Sequence, residues 1–430
     1  MDKTLSLAGS TPADPVPRTG FGAAGWRMIL FSVLMYFAYA GWCVDGINIF
    51  APALAAKNGW STGQLLTLVT PGALFGVVGS AVFGQVLIKK GPRWVMSFCA
   101  ACTAVAVFWF GRITTLWEFT AVFIVMNFFA AGFGFIAPGA LMNYWFPRRK
   151  GMALAIATSG YPLATALFVP LIAVMFNTVG IGASTAIWAG IFLLLAVAAW
   201  LVIRDTPEEI GCFPDNDPRV DRARLDEMAG YVSPLTVRRL LKDRDMWLIS
   251  VGWGCLWMVT VGIVVQLIPR LMELGYDEPQ ALGFLSGAAL CALPGGLLWG
   301  WLDQKFGTKT ASALYGAMYI VTLILLVTQT HSPVMTFLTI VLVGVGLGGI
   351  KNLITSMVGS VYGRYDFTAA YRIVIPLAII VRTLCFPIMG LCMQEFQTLS
   401  AAYLVFIGVD VLAVVLVLLT TSRCKGKTLG

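Results

Sequence analysis

Five ionisable side chains fall inside long apolar stretches of this sequence: Asp45, Lys351, Arg372, Arg382 and Asp410. A charged side chain in a hydrocarbon layer costs about 2.5–3.5 kcal/mol or more, so it pairs with another charge or faces water or a ligand. Three of the five are basic and two are acidic, which leaves a positive excess. The set therefore favours the binding of an anion inside the molecule.

Arg382 is the sharpest candidate for that role because it falls near the middle of its apolar stretch. A guanidinium at this depth can donate two parallel hydrogen bonds to a carboxylate. The alternative is a structural ion pair with Asp45 or Asp410. Lys351 supplies a second positive charge for the ligand, or else its long side chain extends to the membrane surface.

Asp45, in the first apolar stretch, is the second candidate. A carboxylate with little access to water can take up a proton, so Asp45 is a candidate for proton coupling as well as for substrate contact. The alternative is a hydrogen bond to Asn48 with no further role. Asp410, in the last apolar stretch, is predicted to be structural.

Polar and aromatic residues near the middle of other apolar stretches complete a predicted cavity. Aromatic walls favour an amphipathic organic solute over a bare ion, although each residue alone is more typical of packing or of the interfacial belt than of ligand contact. The predicted lining residues beside the charged ones are Tyr39, Trp42, Tyr161, Gln266 and Asn352, with Tyr36 and Trp257 as further members.

The elements that position these residues are membrane helices. The chain has 430 residues, of which 58% are hydrophobic and only 12% charged, whereas soluble domains carry about 25% charged residues. Apolar runs of about 20 residues can cross a bilayer, and in lipid they must be helical. The short alternating segments of a membrane barrel are missing from the sequence. The predicted runs are 27–52, 64–88, 94–111, 117–142, 152–176, 183–203, 246–272, 279–302, 309–328, 333–358, 370–393 and 399–421.

Basic residues of the short loops predict how these twelve helices are oriented. They concentrate on one side, in segments such as Lys89 to Arg93 and Arg148 to Lys150, and this bias marks the cytoplasmic face. The net charge of +8 follows from the same bias, so nucleic-acid binding is not expected. The predicted parts are a cytoplasmic tail 1–25, a six-helix bundle 26–203, a cytoplasmic linker 204–245, a second bundle 246–421 and a cytoplasmic tail 422–430.

The two halves repeat each other in sequence. Gly84 to Gly91 matches Gly300 to Gly307 at an offset of 300 − 84 = 216. Gly132-Phe-Gly-Phe-Ile136 matches Gly346-Leu-Gly-Gly-Ile350 at an offset of 346 − 132 = 214. Duplicated bundles with a binding site at their interface are typical of secondary transporters.

Other chemistries find little support. The nine cysteines lie mostly in apolar runs, and His331 is the one histidine, so neither a metal site nor a cofactor is expected. The sequence has no nucleophile–base pair within the apolar runs that would indicate an enzyme. A phosphate-binding Gly-rich motif is also missing, so transport driven by ATP is not expected.

At the repeated loop segments the sequence resembles the major facilitator superfamily, whose G-x-L-a-D-R-x-G-R-R-like motif follows helix two and recurs after helix eight. The resemblance implies a conformational gate made of Gly84, Lys89, Gly91, Arg93, Gly300, Asp303 and Gly307. Ile88 stands where that family usually has Asp. Asn143 to Gly151 and Asp205 to Gly211 resemble segments of the oxalate/formate antiporter branch, which is related to the monocarboxylate porters.

Together these observations predict an all-α membrane protein with twelve transmembrane helices in two pseudo-symmetric six-helix bundles. The expected function is secondary transport of a small organic anion, a carboxylate, by alternating access across the cell membrane. Either protons or a counter-anion would couple to it, and a monomer is expected. The alternative is a proton-coupled exporter of a cationic or neutral amphipathic compound.

Overall fold

The computed structural model describes residues 20–60, 62–217, 231, 233–329, 332–396, 399–421 and 424–425. Most of the two predicted tails and part of the predicted linker therefore lie outside the described residues. Every regular element in the described part of the chain is helical.

The first half contains helices α1 to α6, and several of them are assembled from shorter segments. Long apolar segments form these helices because their backbone groups have no other hydrogen-bond partners in lipid. Helix α1 consists of Gly22–Ala40, a π-helical turn Gly41–Asp45 and Ile47–Asn58, and helices α2 and α3 are the two arms of Thr62–Phe110 on either side of Gly91. Helix α4 consists of Leu116–Ala131, a π-helical turn Gly132–Ile136 and Ala137–Trp145. Helix α5 consists of Lys150–Thr158, Gly160–Leu163, a π-helical turn Ala164–Phe168 and Val169–Thr178, and helix α6 is Ile181–Val202.

The second half contains helices α7 to α12. They are Arg244–Glu273 as α7; Glu278–Phe306 as α8; Thr308–Thr328 as α9; the two arms of Pro333–Thr383 on either side of Gly363 as α10 and α11, with Cys385–Phe396 continuing α11; and Leu399–Leu418 as α12. Between the halves, the described linker residues form short helical turns at Pro207–Ile210, Pro214–Asn216 and Val237–Leu240.

The helix count agrees with the sequence once two bends are taken into account. The described residues contain ten apolar helical spans long enough to cross a membrane. Two of these spans, Pro71–Phe110 and Pro333–Met389, turn at Gly91 (φ 77°) and Gly363 (φ 72°). Glycine adopts such positive φ values without steric cost. Each bent span thus holds two helices, and 10 + 2 gives the predicted twelve.

Helices pack mainly within their own half. In the first half α2 and α3 pack against α4 and α6, and in the second half α8 packs against α10, α7 against α10, α11 and α12, and α9 against α12. Glycines permit close approach: a Cβ on Gly79 would lie 2.3 Å from the Phe128 carbonyl oxygen, and one on Gly348 would lie 2.2 Å from the Ala292 oxygen. Small residues at such contacts are typical of membrane helices.

The repeat found in the sequence is also a repeat of backbone conformation. Gly91 has φ 77° and ψ 166°, and Gly307 has φ 83° and ψ 153°. The two positions are separated by 307 − 91 = 216 residues, which is the sequence offset. The glycines at the ends of the two loop motifs therefore make the same turn. The domain boundaries 26–203 and 246–421 stay predictions.

Candidate functional site

A cavity of about 300 Å³ lies between the two halves. Helices from both halves contribute to its wall, so a ligand inside it would contact both. The polar and aromatic lining residues are Tyr39 and Asp45 of α1, Thr158, Ser159, Tyr161 and Thr165 of α5, Trp257 and Thr260 of α7, Lys351 of α10 and Arg382 of α11.

Lys351 lies against three aromatic rings, of which those of Tyr161 and Trp257 belong to this wall. Its Nζ atom lies 4.1 Å from the ring centroid of Phe135, 4.1 Å from that of Trp257 and 5.2 Å from that of Tyr161. Aromatic faces attract a cation but do not neutralise its charge. The side chain therefore stays in the cavity and does not extend to the membrane surface.

Arg382 approaches the same tryptophan, with its Cζ atom 5.0 Å from the Trp257 ring centroid. The Arg382 Nε atom is buried without a hydrogen-bond partner. Among the ion pairs of the described residues none involves Arg382 or Lys351. The structural pairing of Arg382 with Asp45 or Asp410 is therefore not formed here, and two positive charges face one cavity without a carboxylate partner.

Asp45 contributes the acidic group of the described cavity wall. Its Oδ2 atom accepts a hydrogen bond of 2.7 Å from the Thr165 hydroxyl. Asp45 is the last residue of the π-helical turn of α1. The next residue, Gly46, has no room for a side chain, because a Cβ there would lie 2.3 Å from the Gly41 carbonyl oxygen. The side chain of Asn48, the other proposed partner, lies outside the described residues.

Five aromatic and amide residues were predicted to line the cavity, and two of them do. These are Tyr39 and Tyr161, whose ring centroids lie 5.9 Å apart. Trp42 does not, because it is fully buried within the first half, 4.7 Å from the Phe50 ring and 6.3 Å from the Trp188 ring. Its ring packs inside the first half, against Phe110 as well, although Tyr39 and Asp45, three residues away on either side, line the cavity.

The two predicted amides also lie elsewhere. Gln266 of α7 is buried outside the cavity wall, and its Oε1 atom has no partner. Asn352 is fully buried where α10 meets α5 and α8. In the orientation that satisfies both amide atoms, it donates to the Gly151 carbonyl at 3.2 Å and accepts from the Gly300 amide at 3.3 Å. Asn352 thus joins the two halves instead of lining the cavity.

Sequence reasoning missed several residues of α4 and α5 that line the cavity or contact its wall. Phe135 stacks on Trp257 with ring centroids 6.2 Å apart and an interplanar angle of 14°. The sequence feature that could have pointed to Phe135 is the repeated glycine segment 132–136, which forms a π-helical turn. Thr158 and Thr165 flank Tyr161 at a spacing of three and four residues, which places all three on one helical face.

The predicted gate residues lie at the end of the molecule where linker residues 204–245 meet the helices. We term this end the linker side. Two of the gate glycines contact the opposite half. A Cβ on Gly84 would lie 2.4 Å from Cβ of Arg372, and one on Gly300 would lie 2.5 Å from Cβ of Ala155. Close contact between the halves at this end therefore requires glycine.

The second gate segment carries a buried acid. Asp303 accepts hydrogen bonds of 2.5 Å from the Thr308 and Ser356 hydroxyls. A Cβ on Gly151 of the opposite half would lie 2.4 Å from the Asp303 carboxylate. Gly307 ends α8 and donates its backbone N–H to the Asp303 carbonyl. Asp303 is thus held at the contact between α8 and α5.

The charge contacts of the first gate segment stay within its own half. The backbone N–H of Arg93 donates to Asp205 at 2.6 Å, and its side chain donates to the Trp200 carbonyl at 2.6 Å. Gly91 packs on the Asp205 carboxylate. Burial raises the pKa of Asp205 to about 6, although the hydrogen bond from Arg93 opposes this shift. Lys89 is exposed.

Among the described residues, a charge contact with two hydrogen bonds joins the linker to the second half and involves a residue outside the predicted gate. Arg364, at the start of α11, donates two hydrogen bonds to Glu208 of the linker, at 2.7 and 2.9 Å. Its Nε atom donates to the Tyr144 carbonyl of α4 at 2.7 Å. We term Arg364, Glu208 and Tyr144 the linker-side latch. Together with the glycine contacts it closes the cavity on this side.

Comparison with known proteins agrees with this architecture. The family pattern of the Major Facilitator Superfamily matches residues 28–381. The gentisate transporter of Corynebacterium glutamicum is 25% identical over 370 residues, covering 83% of this chain and 80% of that protein. The oxalate:formate antiporter of Oxalobacter formigenes is 22% identical over 310 residues, covering 70% and 69%. The structure of the transporter FucP in its outward conformation superimposes with a TM-score of 0.68 at 15% identity, covering 91% and 98%.

These findings confirm the predicted fold of two six-helix bundles in a multi-pass membrane protein. They also confirm the prediction that the chain is a transporter and not an enzyme. Since the family pattern spans most of the sequence, and the bent spans, the repeated loop glycines and the central cavity all fit it, the chain belongs to the Major Facilitator Superfamily.

Proposed function

We propose that this transporter carries a small organic carboxylate across the cell membrane by alternating access. One observation carries the proposal: Lys351 and Arg382 face the same cavity, and neither has a carboxylate partner among the described residues. Leaving buried charges uncompensated costs several kcal/mol, so an anion that enters the cavity is attracted by both residues. Arg382 is suited to hold a carboxylate through two parallel hydrogen bonds.

The remaining wall supports an organic anion over an inorganic one. Tyr161 and Trp257 of the wall, with Phe135 stacked on Trp257, offer aromatic faces beside Lys351, and Thr158 and Thr260 offer hydroxyls. A cavity of about 300 Å³ accommodates a small carboxylate. The names of two relatives, a gentisate transporter and an oxalate:formate antiporter, fall in the same chemical class.

Alternating access requires that the closed end of the cavity can open. The linker-side latch and the glycine contacts of Gly84 and Gly300 connect the two halves at that end. We infer that these contacts separate when the halves rock about the bound anion. The basic loops predict a cytoplasmic linker and cytoplasmic termini, and on that basis we infer that this end opens inward.

Either of two coupling modes fits the cavity. Asp45 can take up a proton beside the anion, or a second anion can return through the same site. A monomer is sufficient, because the cavity is formed by one chain. Export of a cation or neutral compound is not favoured, since Asp45 is the single acid in the described wall and already accepts a hydrogen bond from Thr165.

The proposal can be tested with purified protein in liposomes. We would measure uptake of labelled gentisate, oxalate and formate, driven by a proton gradient in one set and by an internal counter-anion in another. Saturable uptake of at least one carboxylate is expected. Hydroquinone, which keeps the gentisate ring and lacks its carboxylate, is the matched neutral control and should not compete. No uptake under either gradient, or competition by hydroquinone equal to that by gentisate, would contradict the proposal.

A further inference from the structure

The linker ends in a basic stretch directly before helix α7. The turn Val237–Leu240 is extended by Leu241 and Lys242, whose backbone N–H groups donate to carbonyls of that turn at 2.9 and 3.2 Å. Arg244 then begins α7. This stretch therefore lies where a membrane helix emerges on the linker side, and we term residues 237–247 the basic segment.

The turn of the basic segment has one apolar face and one basic face. The residues of the apolar face are Val237, Leu240 and Leu241, and those of the basic face are Arg238, Arg239 and Lys242. At about 100° per residue, each set spans about 100° around the turn. Leu240 is buried against the protein, whereas the three basic side chains are exposed. Such an amphipathic arrangement is typical of a segment that lies in the plane of a membrane interface.

Exposed apolar side chains continue the apolar face toward α7. Val237, Leu241 and Trp247 have exposed fractions of 43%, 44% and 44%, so the described protein leaves much of each side chain uncovered. The Trp247 indole N–H donates to the Leu241 carbonyl at 2.8 Å, which fixes the ring beside the turn. Tryptophan is enriched at the level of lipid headgroups. The basic segment thus has an apolar surface for acyl chains directly beside its basic side chains.

The two acids of the basic segment face the protein instead. Asp243 accepts hydrogen bonds of 2.6 Å from the Tyr362 hydroxyl and from Nζ of Lys425. Asp245 is buried, accepts the backbone N–H of Thr421 at 2.9 Å and pairs with the same lysine. Both carboxylates are therefore engaged by the second half and its tail, and they do not neutralise the basic side chains outside.

The basic side chains themselves form no ion pair in the described part of the chain. They are Arg238, Arg239, Lys242 and Arg244, and all four are exposed. Four positive charges within seven residues repel one another and attract anions. A soluble anion would leave the three exposed apolar side chains in water, whereas an anion with acyl chains matches both faces of the segment.

We propose that the basic segment binds anionic phospholipids of the linker-side leaflet, with phosphate headgroups on its basic face and acyl chains against its apolar face. Each basic residue beside a membrane surface raises the affinity for anionic lipid about fivefold. The inference does not depend on the substrate proposed above, so the failure of either proposal leaves the other standing.

Native mass spectrometry of the full chain in detergent would test the proposal. Phosphatidylglycerol and phosphatidylcholine with identical acyl chains would be titrated separately. Wild type should bind the anionic lipid about tenfold or more tightly than the zwitterionic one. The double variant Arg238→Gln/Lys242→Gln should weaken the tightest phosphatidylglycerol binding about 25-fold and leave phosphatidylcholine binding unchanged. Equal affinity of wild type for the two lipids would overturn the proposal.

Lys90→Gln/Lys305→Gln is the matched control, because both lysines are exposed and lie at linker-side helix ends outside the basic segment. It removes the same number of charges and should leave phosphatidylglycerol affinity nearly unchanged. Equal losses in the two double variants would show attraction by net charge alone, which contradicts a defined site. Glycerol phosphate, which lacks acyl chains, should not compete, and competition at the concentration of the lipid would assign the segment to soluble anions.

Fluorescence of Trp247 tests the place of binding in a bilayer. In proteoliposomes of both lipids, brominated phosphatidylglycerol should quench the Trp247 component more strongly than brominated phosphatidylcholine at the same mole fraction. That component is the difference between wild type and Trp247→Phe, and Arg238→Gln/Lys242→Gln should abolish the preference. Equal quenching by both lipids in wild type would refute the inference. A changed oligomeric state of the double variant with unaltered lipid binding would instead make this surface a contact between copies of the chain.

Discussion

Two arginines on one helix have opposite environments. Arg364, at the linker-side start of α11, is buried with 4% of its side chain exposed and donates to both oxygens of Glu208 and to the Tyr144 carbonyl. Arg382 lies 382 − 364 = 18 residues further along, faces the cavity, and keeps a buried Nε atom without a partner.

The difference shows how one residue type can serve as a latch or as a receptor. A buried guanidinium whose donors are satisfied by the protein stabilises the contact that satisfies it. A guanidinium left with unused donors gains the most from a ligand that carries a carboxylate. The following variants test this contrast, beginning with the largest expected effect.

Arg382→Gln should reduce the initial rate of carboxylate uptake about 100-fold or more, because truncating one partner of a buried charge pair costs about 2–5 kcal/mol. The measurement is uptake of labelled substrate into proteoliposomes. Arg372→Gln is the matched control, since the Arg372 side chain donates to the Ala369 and Leu235 carbonyls and does not line the cavity. Uptake by Arg382→Gln within twofold of wild type would mean that Arg382 is structural.

Lys351→Met should weaken apparent substrate affinity about 30-fold. A charge about 6–8 Å from the anion contributes about 2–3 kcal/mol at an effective dielectric constant of about 20. Methionine keeps the packing against the aromatic rings, so the protein should fold. Lys351→Arg, which retains the charge, should lose much less affinity, and equal losses in both variants would argue that shape rather than charge decides binding.

Glu208→Gln should shift the balance between the linker-side-closed and open states about tenfold toward the open state. Hydrogen bonds to charged groups contribute about 1.5–3 kcal/mol, and the amide retains one acceptor, so the lower end applies. The measurement uses a cysteine introduced on the cavity wall. A thiol-reactive label is added from the linker side, and the rate at which it modifies this cysteine reports the opening. If labelling is unchanged, the latch is not a determinant of closure.

The smallest effect concerns Asp205, whose charge contacts stay within the first half. Because burial raises its pKa to about 6 from the ordinary value of 3.8, the folded protein binds a proton that the unfolded chain releases between these values. Its contribution to stability is thus complete at low pH and is lost as pH rises through about 6. Melting temperature should rise by about 1–2 °C from pH 7 to pH 5 through this residue.

Asp205→Asn should remove that part of the pH dependence. Unlike Glu208→Gln, it should leave labelling of the cavity from the linker side unchanged, because Asp205 holds Arg93 of its own half. Increased labelling in Asp205→Asn would show that the first gate segment also controls opening.

Much of the fold could be predicted from sequence. Length and hydrophobicity fix the twelve helices, because a run of about 20 apolar residues in lipid can satisfy its backbone only as a helix. The repeated glycines at Gly91 and Gly307 marked equivalent turns because few other residues tolerate their positive φ. The resemblance of the loop segments indicated the family before any contact was known.

Gate contacts were predicted less completely. The loop motif pointed to Gly84, Gly300 and Asp303, which lie between the halves. It could not point to Arg364 and Glu208, because these residues are 156 positions apart and meet only when the linker folds back against α11. Glu208 lies in the Asp205 to Gly211 segment that resembles the antiporter branch, but a resemblance of one segment does not reveal which distant residue it contacts.

The cavity marks the boundary between what sequence and tertiary structure decide. Sequence alone identified the rare charges Asp45, Lys351 and Arg382, because charge in an apolar run requires an explanation. It could not decide that Trp42 packs inside the first half while Trp257 lines the cavity and contacts both cations. The helix surfaces toward lipid and toward protein are both apolar, so the pattern of residues does not reveal how each helix is rotated. Only the packing of the two halves sets that rotation, and with it the composition of the site.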